Sequence, residues 1–285
     1  MEAGFEGKWR SGMVLAVASA IGLGCFLYPF FLAPGQQVGD GNQAHIRFAP
    51  VLFAGVSAVC LVAMLVTLAE ERPVSRSRSV ALLGVLVALD ATLRLVPSML
   101  GASTIFLLIM LVGAVFGASM GFQMGVLTLL FSAMITGGLG PWLPFQMLAA
   151  GWVGMTAGWL PRGYSMRSRL AMLAVFAAVW GVVFGALMNL WFWPFTAPGV
   201  EADAGLYWSP GLGFVETVRR YATFYTVTSL GFDATRAIGN VVLVLVFGGP
   251  VLRLLERYRS RFVWEPWVEH EPVRREIQSG AGASG

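Results

Sequence analysis

Long apolar runs divided by short polar breaks dominate this chain, falling at about 11–33, 48–69, 79–97, 103–118, 121–136, 145–160, 169–194 and 226–252. A helix rises about 1.5 Å per residue and needs about 20 apolar residues to cross hydrocarbon, so the pattern predicts roughly eight transmembrane helices. The run from Ser103 to Gly138 is too long for one upright crossing and must hold two, with a turn around Gly117-Ala118-Ser119-Met120-Gly121. The first run is too long for a cleavable signal, has Glu2 and Glu6 ahead of it and no obvious small-residue cleavage site, and is read as a span.

Composition agrees with an all-α polytopic membrane protein: 57% of the 285 residues are hydrophobic and 12% charged, with mean hydropathy +0.73. Arginines cluster at Arg72/Arg76/Arg78, Arg162/Arg167/Arg169 and Arg253/Arg257/Arg259/Arg261, after the second, sixth and eighth spans, all on one side. The positive-inside rule places these groups and both termini in the cytoplasm, and the loops at 34–47, 98–102, 137–144 and 195–213 outside. The net charge of +4 therefore resides in loop-end anchors, with no stacking aromatics interleaved on a soluble face, which argues against nucleic acid. Cys25 and Cys60 lie within spans as small apolar fillers, and no Cys, His or carboxylate spacing suggests a metal. The mixed-charge tail after Phe262 reads as disordered.

Polar residues within the spans need a separate account, because charge in a bilayer is costly and turns toward the bundle or a wet cavity. In LDATLRL, Asp90 and Arg94 stand four apart on one helix face, either as an internal ion pair or as the wall of an outward pocket. In GFDATRAIGN, Asp233, Arg236 and Asn240 repeat the theme at the same expected depth, and Asn189 joins them beside Trp191-Phe192-Trp193. Trp191 reads as an interfacial belt residue, while Trp193 joins the candidate substrate contacts. Glycines at 113, 117, 121 and 125, and the pairs Gly154/Gly158 and Gly181/Gly185, have the spacing that lets helix backbones approach in lipid. Gly84/Ala88 and Ala16/Ala20 could instead form partner-docking faces. The stretch GLGPWLPF stiffens an expected outer loop around Trp142, with Phe145 and Gln146 following, as a lid over a partly aromatic solute would require.

From about Ser79 to Glu256, the order ALLGVLVALDATLRLVP, GAVFGASMGFQMGVLTLLFSAMITGGLGPWLPFQMLAAGWVGMTAGWLP and GFDATRAIGNVVLVLVFGGPVLRLLERY resembles the substrate-binding S components of energy-coupling factor (ECF) vitamin transporters. The resemblance implies a six-helix bundle that captures a vitamin or related compound outside a prokaryotic inner membrane. It also implies partners: a transmembrane coupling protein and two cytoplasmic ATPase subunits. The family's small-residue docking motif maps to Ala81, Gly84 and Ala88, departing from the usual alanine pair. The GPWLPFQ pattern is closest to S components assigned to cobalamin or its precursors.

No GxxxxGK[ST] loop occurs, so ATP use falls to partner subunits, and no covalently bound cofactor is expected. The chain divides by this reading into a two-helix extension and cytoplasmic linker (1–78), a substrate-binding bundle (79–262) and a tail (263–285). Two other classes stay open on the residues alone. One is a structural subunit whose buried charges only hold helices together; the other is a membrane transferase centred on Asp90, Arg94, Asp233 and Arg236, which lacks the clustered carboxylates or intramembrane histidine such chemistry uses.

Overall fold

A backbone crossing lipid has no water to bond to and must satisfy its own amides and carbonyls, which a helix does locally. The structure is a computed structural model that describes residues 2–31, 41–69, 73–95, 103–195, 205–209 and 211–262, and every regular element among them is helical. The α-helices are α1 (Glu2–Leu27), α2 (Gly41–Ala69), α3 (Pro73–Leu93), α4 (Ile105–Phe116), α5 (Ala118–Thr136), α6 (Leu143–Ala157), α7 (Met166–Phe192), α8 (Phe214–Thr228) and α9 (Leu230–Phe262). Short 3-10 turns extend α1 at Tyr28–Phe31 and α7 at Trp193–Phe195.

Among the described residues, five helices (α1, α2, α5, α7 and α9) are long and apolar enough to cross a membrane. Helices α4 and α6 have 12 and 15 residues, roughly 18 and 22 Å of rise against a hydrocarbon core of about 30 Å. Both are enclosed by other helices along most of their length, so they pack as the centre of the bundle.

That centre depends on backbone contact. Gly117, at φ +109°, makes the reversal between α4 and α5 in a conformation L side chains rarely adopt. A Cβ at Gly113 or Gly121 would run into the Gly154 carbonyl of α6, and one at Gly125 into the Ala150 carbonyl. Small residues thus bring α4, α5 and α6 within main-chain distance of one another, where dispersion takes over the role that hydrophobic exclusion plays in water.

The two N-terminal helices are built into this core. Phe26 is fully buried, with its ring 5.0 Å from Phe145 and 5.8 Å from Trp152 of α6. The Trp152 indole donates to Ser19 Oγ of α1 at 2.8 Å, and Gln123 of α5 donates to Thr67 Oγ1 of α2 at 2.9 Å.

Several expected boundaries shift. Residues 73–78, read as linker, form the first turns of α3, because proline suits the start of a helix where its missing amide costs nothing. The expected 34–47 loop is helical from Gly41. Likewise the stiff stretch GLGPWLPF is partly helix: Gly137 caps α5 in the left-handed region, φ +68°, and α6 starts at Leu143 with Pro144 in its first turn. Helix α8 has no counterpart in the sequence reading; its apolar and polar residues lie on opposite sides, which a search for long apolar runs passes over. The expected loop at 98–102 and the tail from 263 lie outside the described residues, as do 34–40 and much of 195–213.

Gly154→Ala places a methyl against the Gly121 backbone and is expected to lower unfolding stability by about 2–3 kcal/mol. Gly84→Ala meets nothing within 4 Å and is expected to leave it unchanged. Thermal unfolding of the two variants in one detergent checks the contrast; equal melting points would mean that close packing of α5 on α6 does not hold the bundle.

Candidate functional site

The polar residues expected at one membrane level separate into two groups. In the first, α9 presents Asp233, Arg236 and Asn240 to α7. A Cβ at Gly181 would meet the Ala237 backbone, and one at Gly185 would occupy the space of the Asp233 carboxylate. The Gly181/Gly185 pair therefore admits both α9 and a buried charge. Asp233 is 2% exposed, pairs with Arg236, and accepts a bond from the Tyr225 hydroxyl of α8 at 2.9 Å. The Arg236 guanidinium also donates to the Gly181 carbonyl at 3.4 Å and lies 6.0 Å from the centre of the Phe184 ring. Asn240 is 2% exposed, and its Oδ1 has no hydrogen-bond partner among the described residues.

The second group lies between α3 and α5. Asp90 is fully buried and accepts from Thr128 at 3.0 Å through Oδ2, while its Oδ1 is unpartnered among the described residues. Arg94, in the turn just past α3, donates to Ser132 at 2.8 Å. Of the two arrangements open to Asp90 and Arg94, the mutual ion pair is not formed: each turns instead to a hydroxyl of α5, Asp90 to Thr128 and Arg94 to Ser132.

Around Trp142 the arrangement also differs from an exposed lid. Trp142 itself is exposed, its ring folded over Gly140 where a Cβ would overlap it. Phe145 is 1% exposed, wedged between Phe26 and Trp191, whose ring centre is 5.3 Å away. Trp191 is thus a core residue and not an interfacial belt, because its side chain turns inward onto α6. Gln146 and Asn189 are half-buried. Trp193 is 1% exposed: it donates to the Leu206 carbonyl at 2.9 Å and packs edge-on against Tyr221 of α8 at 5.2 Å. Tyr221 in turn donates to the Ala186 carbonyl of α7. Helix α8 is fastened to the tops of α7 and α9 by these two tyrosines and Trp193.

Sequence reasoning missed Thr128 and Ser132, the α5 partners of Asp90 and Arg94, and Tyr221 and Tyr225 of α8. The signal for the first two was present, as hydroxyls nine and thirteen residues after Ser119 in an otherwise apolar run. For the tyrosines no spacing rule applied, since their partners lie on another helix.

At the opposite, arginine-bearing end, residues 11–19 of α1, the end of α2, Ser79 of α3, the α4–α5 turn and the ends of α6 and α9 surround a cavity of about 850 Å³. On α3, Ala81, Gly84 and Ala88 form an exposed stripe with Val85 and Leu89.

The helical bundle, with its glycine-seamed core, buried polar groups and five helices long and apolar enough to cross a membrane among the described residues, has the build of a polytopic membrane protein. The family model for the substrate-specific component of ECF transporters matches residues 78–248, and the chain belongs to that family. No curated protein and no solved structure gives a significant match. The protein is therefore a multi-pass membrane protein of a transporter family whose members bind substrate and work within an ECF complex.

Asp233→Asn leaves Arg236 largely buried without its counter-charge and is expected to cost about 3 kcal/mol of unfolding stability, the low end for a buried pair because Arg236 keeps 22% of its side chain exposed. Removing both charges in Asp233→Asn/Arg236→Gln is expected to recover part of that loss. Chemical unfolding in micelles checks the order; a double variant less stable than the single one would mean that Asp233 is not there to compensate Arg236.

Proposed function

We propose that this chain is the high-affinity capture subunit of an ECF-type importer, taking a vitamin or related compound from the outer face of a prokaryotic inner membrane. Both termini would lie in the cytoplasm. The observation that carries the reading is the family match over 78–248. The geometry supports it in one respect: Asp90 and Asn240 each hold a buried oxygen without a partner among the described residues, a standing cost of about 1–3 kcal/mol apiece that a ligand hydrogen bond could offset.

The compound we favour is cobalamin or a precursor. Its contacts would come from Asp90, Arg94, Trp142, Phe145, Gln146, Asn189, Trp193, Asp233, Arg236 and Asn240. In this assignment Trp142 is the residue able to close over ligand, whereas Phe145 and Trp193 act from within the aromatic packing that holds α6 and α8 in place. The chain itself would be non-catalytic, with no covalent cofactor. Transport would require a transmembrane coupling protein and two ATPases, docking on the α3 stripe of Ala81, Gly84 and Ala88. A purely structural subunit is the second reading, favoured by the Asp233–Arg236 pair, which is satisfied without ligand.

Thermal unfolding of the purified protein against cobalamin, cobinamide, thiamine, riboflavin, folate and biotin separates these readings. A ligand at a hundred times its dissociation constant adds roughly 2.7 kcal/mol of stability. One compound is expected to raise the melting point, and Trp142→Ala or Arg236→Ala to abolish the rise; no shift with any of them in folded protein would favour the structural subunit. Gly84→Leu is expected to preserve ligand binding and to lose co-purification of the coupling protein. Retained co-purification would remove α3 as the docking face.

A further inference from the structure

The cavity at the arginine-bearing end is chemically unlike the rest of the bundle. Ser11, Thr67, Ser79 and Ser119 contribute hydroxyls to its lining, and Arg162 and Arg259 contribute guanidinium groups. Both arginines are held over the C-terminal end of α4: Arg162 Nε donates to the Ala114 carbonyl at 2.8 Å and Arg259 to the Val115 carbonyl at 2.9 Å. The partial negative charge of a helix C-terminus favours cations there, but is worth only about half an elementary charge. No carboxylate pairs with either arginine among the described residues, since Glu256 is taken by Arg169. Burial, then the charges of Arg259 and Arg169, hold the Arg162 guanidinium below its ordinary pKa. Among the described residues, two positive charges therefore face a partly enclosed space with less than one negative charge to answer them.

The second observation is a groove of about 350 Å³ between α1, α6 and α7, lined by Ala20, Leu23, Trp152, Thr156 and Trp180 in addition to Ser19 and Met155. Its wall is almost wholly apolar, because the polar atoms of Trp152, Thr156 and Trp180 are spent on Ser19, the Trp152 carbonyl and Thr156 respectively. Ser19 and Met155 border both spaces, so the groove continues the cavity along α1. From Ser11 to Leu23 the path is roughly 18 Å at 1.5 Å per residue, about the reach of one acyl chain. A soluble anion would use the cavity and leave the groove empty. An acidic peptide has no use for a groove whose wall is almost wholly apolar.

We infer that the cavity and groove together form a binding site for one anionic phospholipid of the cytoplasmic leaflet, its phosphate on Arg162 and Arg259 and one acyl chain along Ala20, Leu23, Trp152 and Trp180. The lipid lies in the seam between the N-terminal helix pair and the bundle, where it adds to the contacts made by Phe26, Ser19 and Thr67. Positive charge near an anionic lipid surface contributes about fivefold in affinity per arginine, so the pair gives a preference for anionic over zwitterionic lipid of about 25-fold.

The test is native mass spectrometry of the full chain released from nanodiscs of mixed phosphatidylglycerol and phosphatidylcholine, with melting points recorded for each form. The expected result is one retained phosphatidylglycerol per chain. In Arg162→Gln/Arg259→Gln, which keeps donors for the α4 carbonyls, the preference falls to within about twofold, the loss expected when both arginine contributions go. In Ala20→Trp, which fills the groove and leaves both arginines in place, retention of any lipid falls while the melting point without lipid is kept. Equal retention of the two lipids by the unaltered chain would overturn the proposal, as would a preference unaffected by the double substitution. Stabilisation by inorganic phosphate equal to that by phosphatidylglycerol would overturn it in favour of a simple anion site.

Discussion

Three helices meeting backbone to backbone set the terms for everything else in this bundle. Where Gly113 and Gly121 face the Gly154 carbonyl, α4, α5 and α6 approach more closely than any side chain would allow. In lipid this contact has no hydrophobic driving force behind it and rests on dispersion between closely fitted surfaces. Because α4 and α6 are short, they depend on α5 and on the surrounding helices for their place in the membrane. The outer helices then acquire fixed surfaces to pack on, and the polar side chains acquire fixed partners.

Those partners show how the molecule handles charge in a low-dielectric setting. Asp233 is surrounded by Arg236 and Tyr225 and seated in the gap that Gly185 leaves, so its cost is met locally. Among the described residues Asp90 is met on one oxygen only, by Thr128. The difference matters for function: a satisfied pair fixes α8 and α9 to α7, whereas an unsatisfied oxygen retains binding capacity. The same distinction appears at the other end of the bundle, where Arg169 is matched by Glu256 and Arg162 and Arg259 face a cavity.

Helices α1 and α2 precede the matched family region yet are continuous with its core. Phe26 lies in the aromatic cluster with Phe145 and Trp152, and Phe145 carries the contact on to Trp191. Through that chain of rings, the N-terminal pair supports the start of α6, the very segment that bears Trp142. The seam it forms with the bundle is also where the polar cavity and the apolar groove arise.

The sequence by itself determined the class, the family and the rough layout of helices, because long apolar runs, arginine placement and glycine spacing are local signals with a direct physical cause. It also marked Asp233, Arg236 and Asn240 as one group, since their helical spacing alone puts them on adjoining faces of α9. What it could not supply was the identity of partners on other helices. Whether Asp90 would pair with Arg94 four residues on or with Thr128 depended on which hydroxyls α5 brought against α3. Trp191 looked like a belt residue until the rotation of α7 turned it inward, and α8 was invisible to hydropathy because its apolar residues are interleaved with polar ones. Only the tertiary structure decided these points, because the energy of a buried polar or aromatic group is set by what lies across the helix interface, and nothing in the local sequence specifies its neighbour.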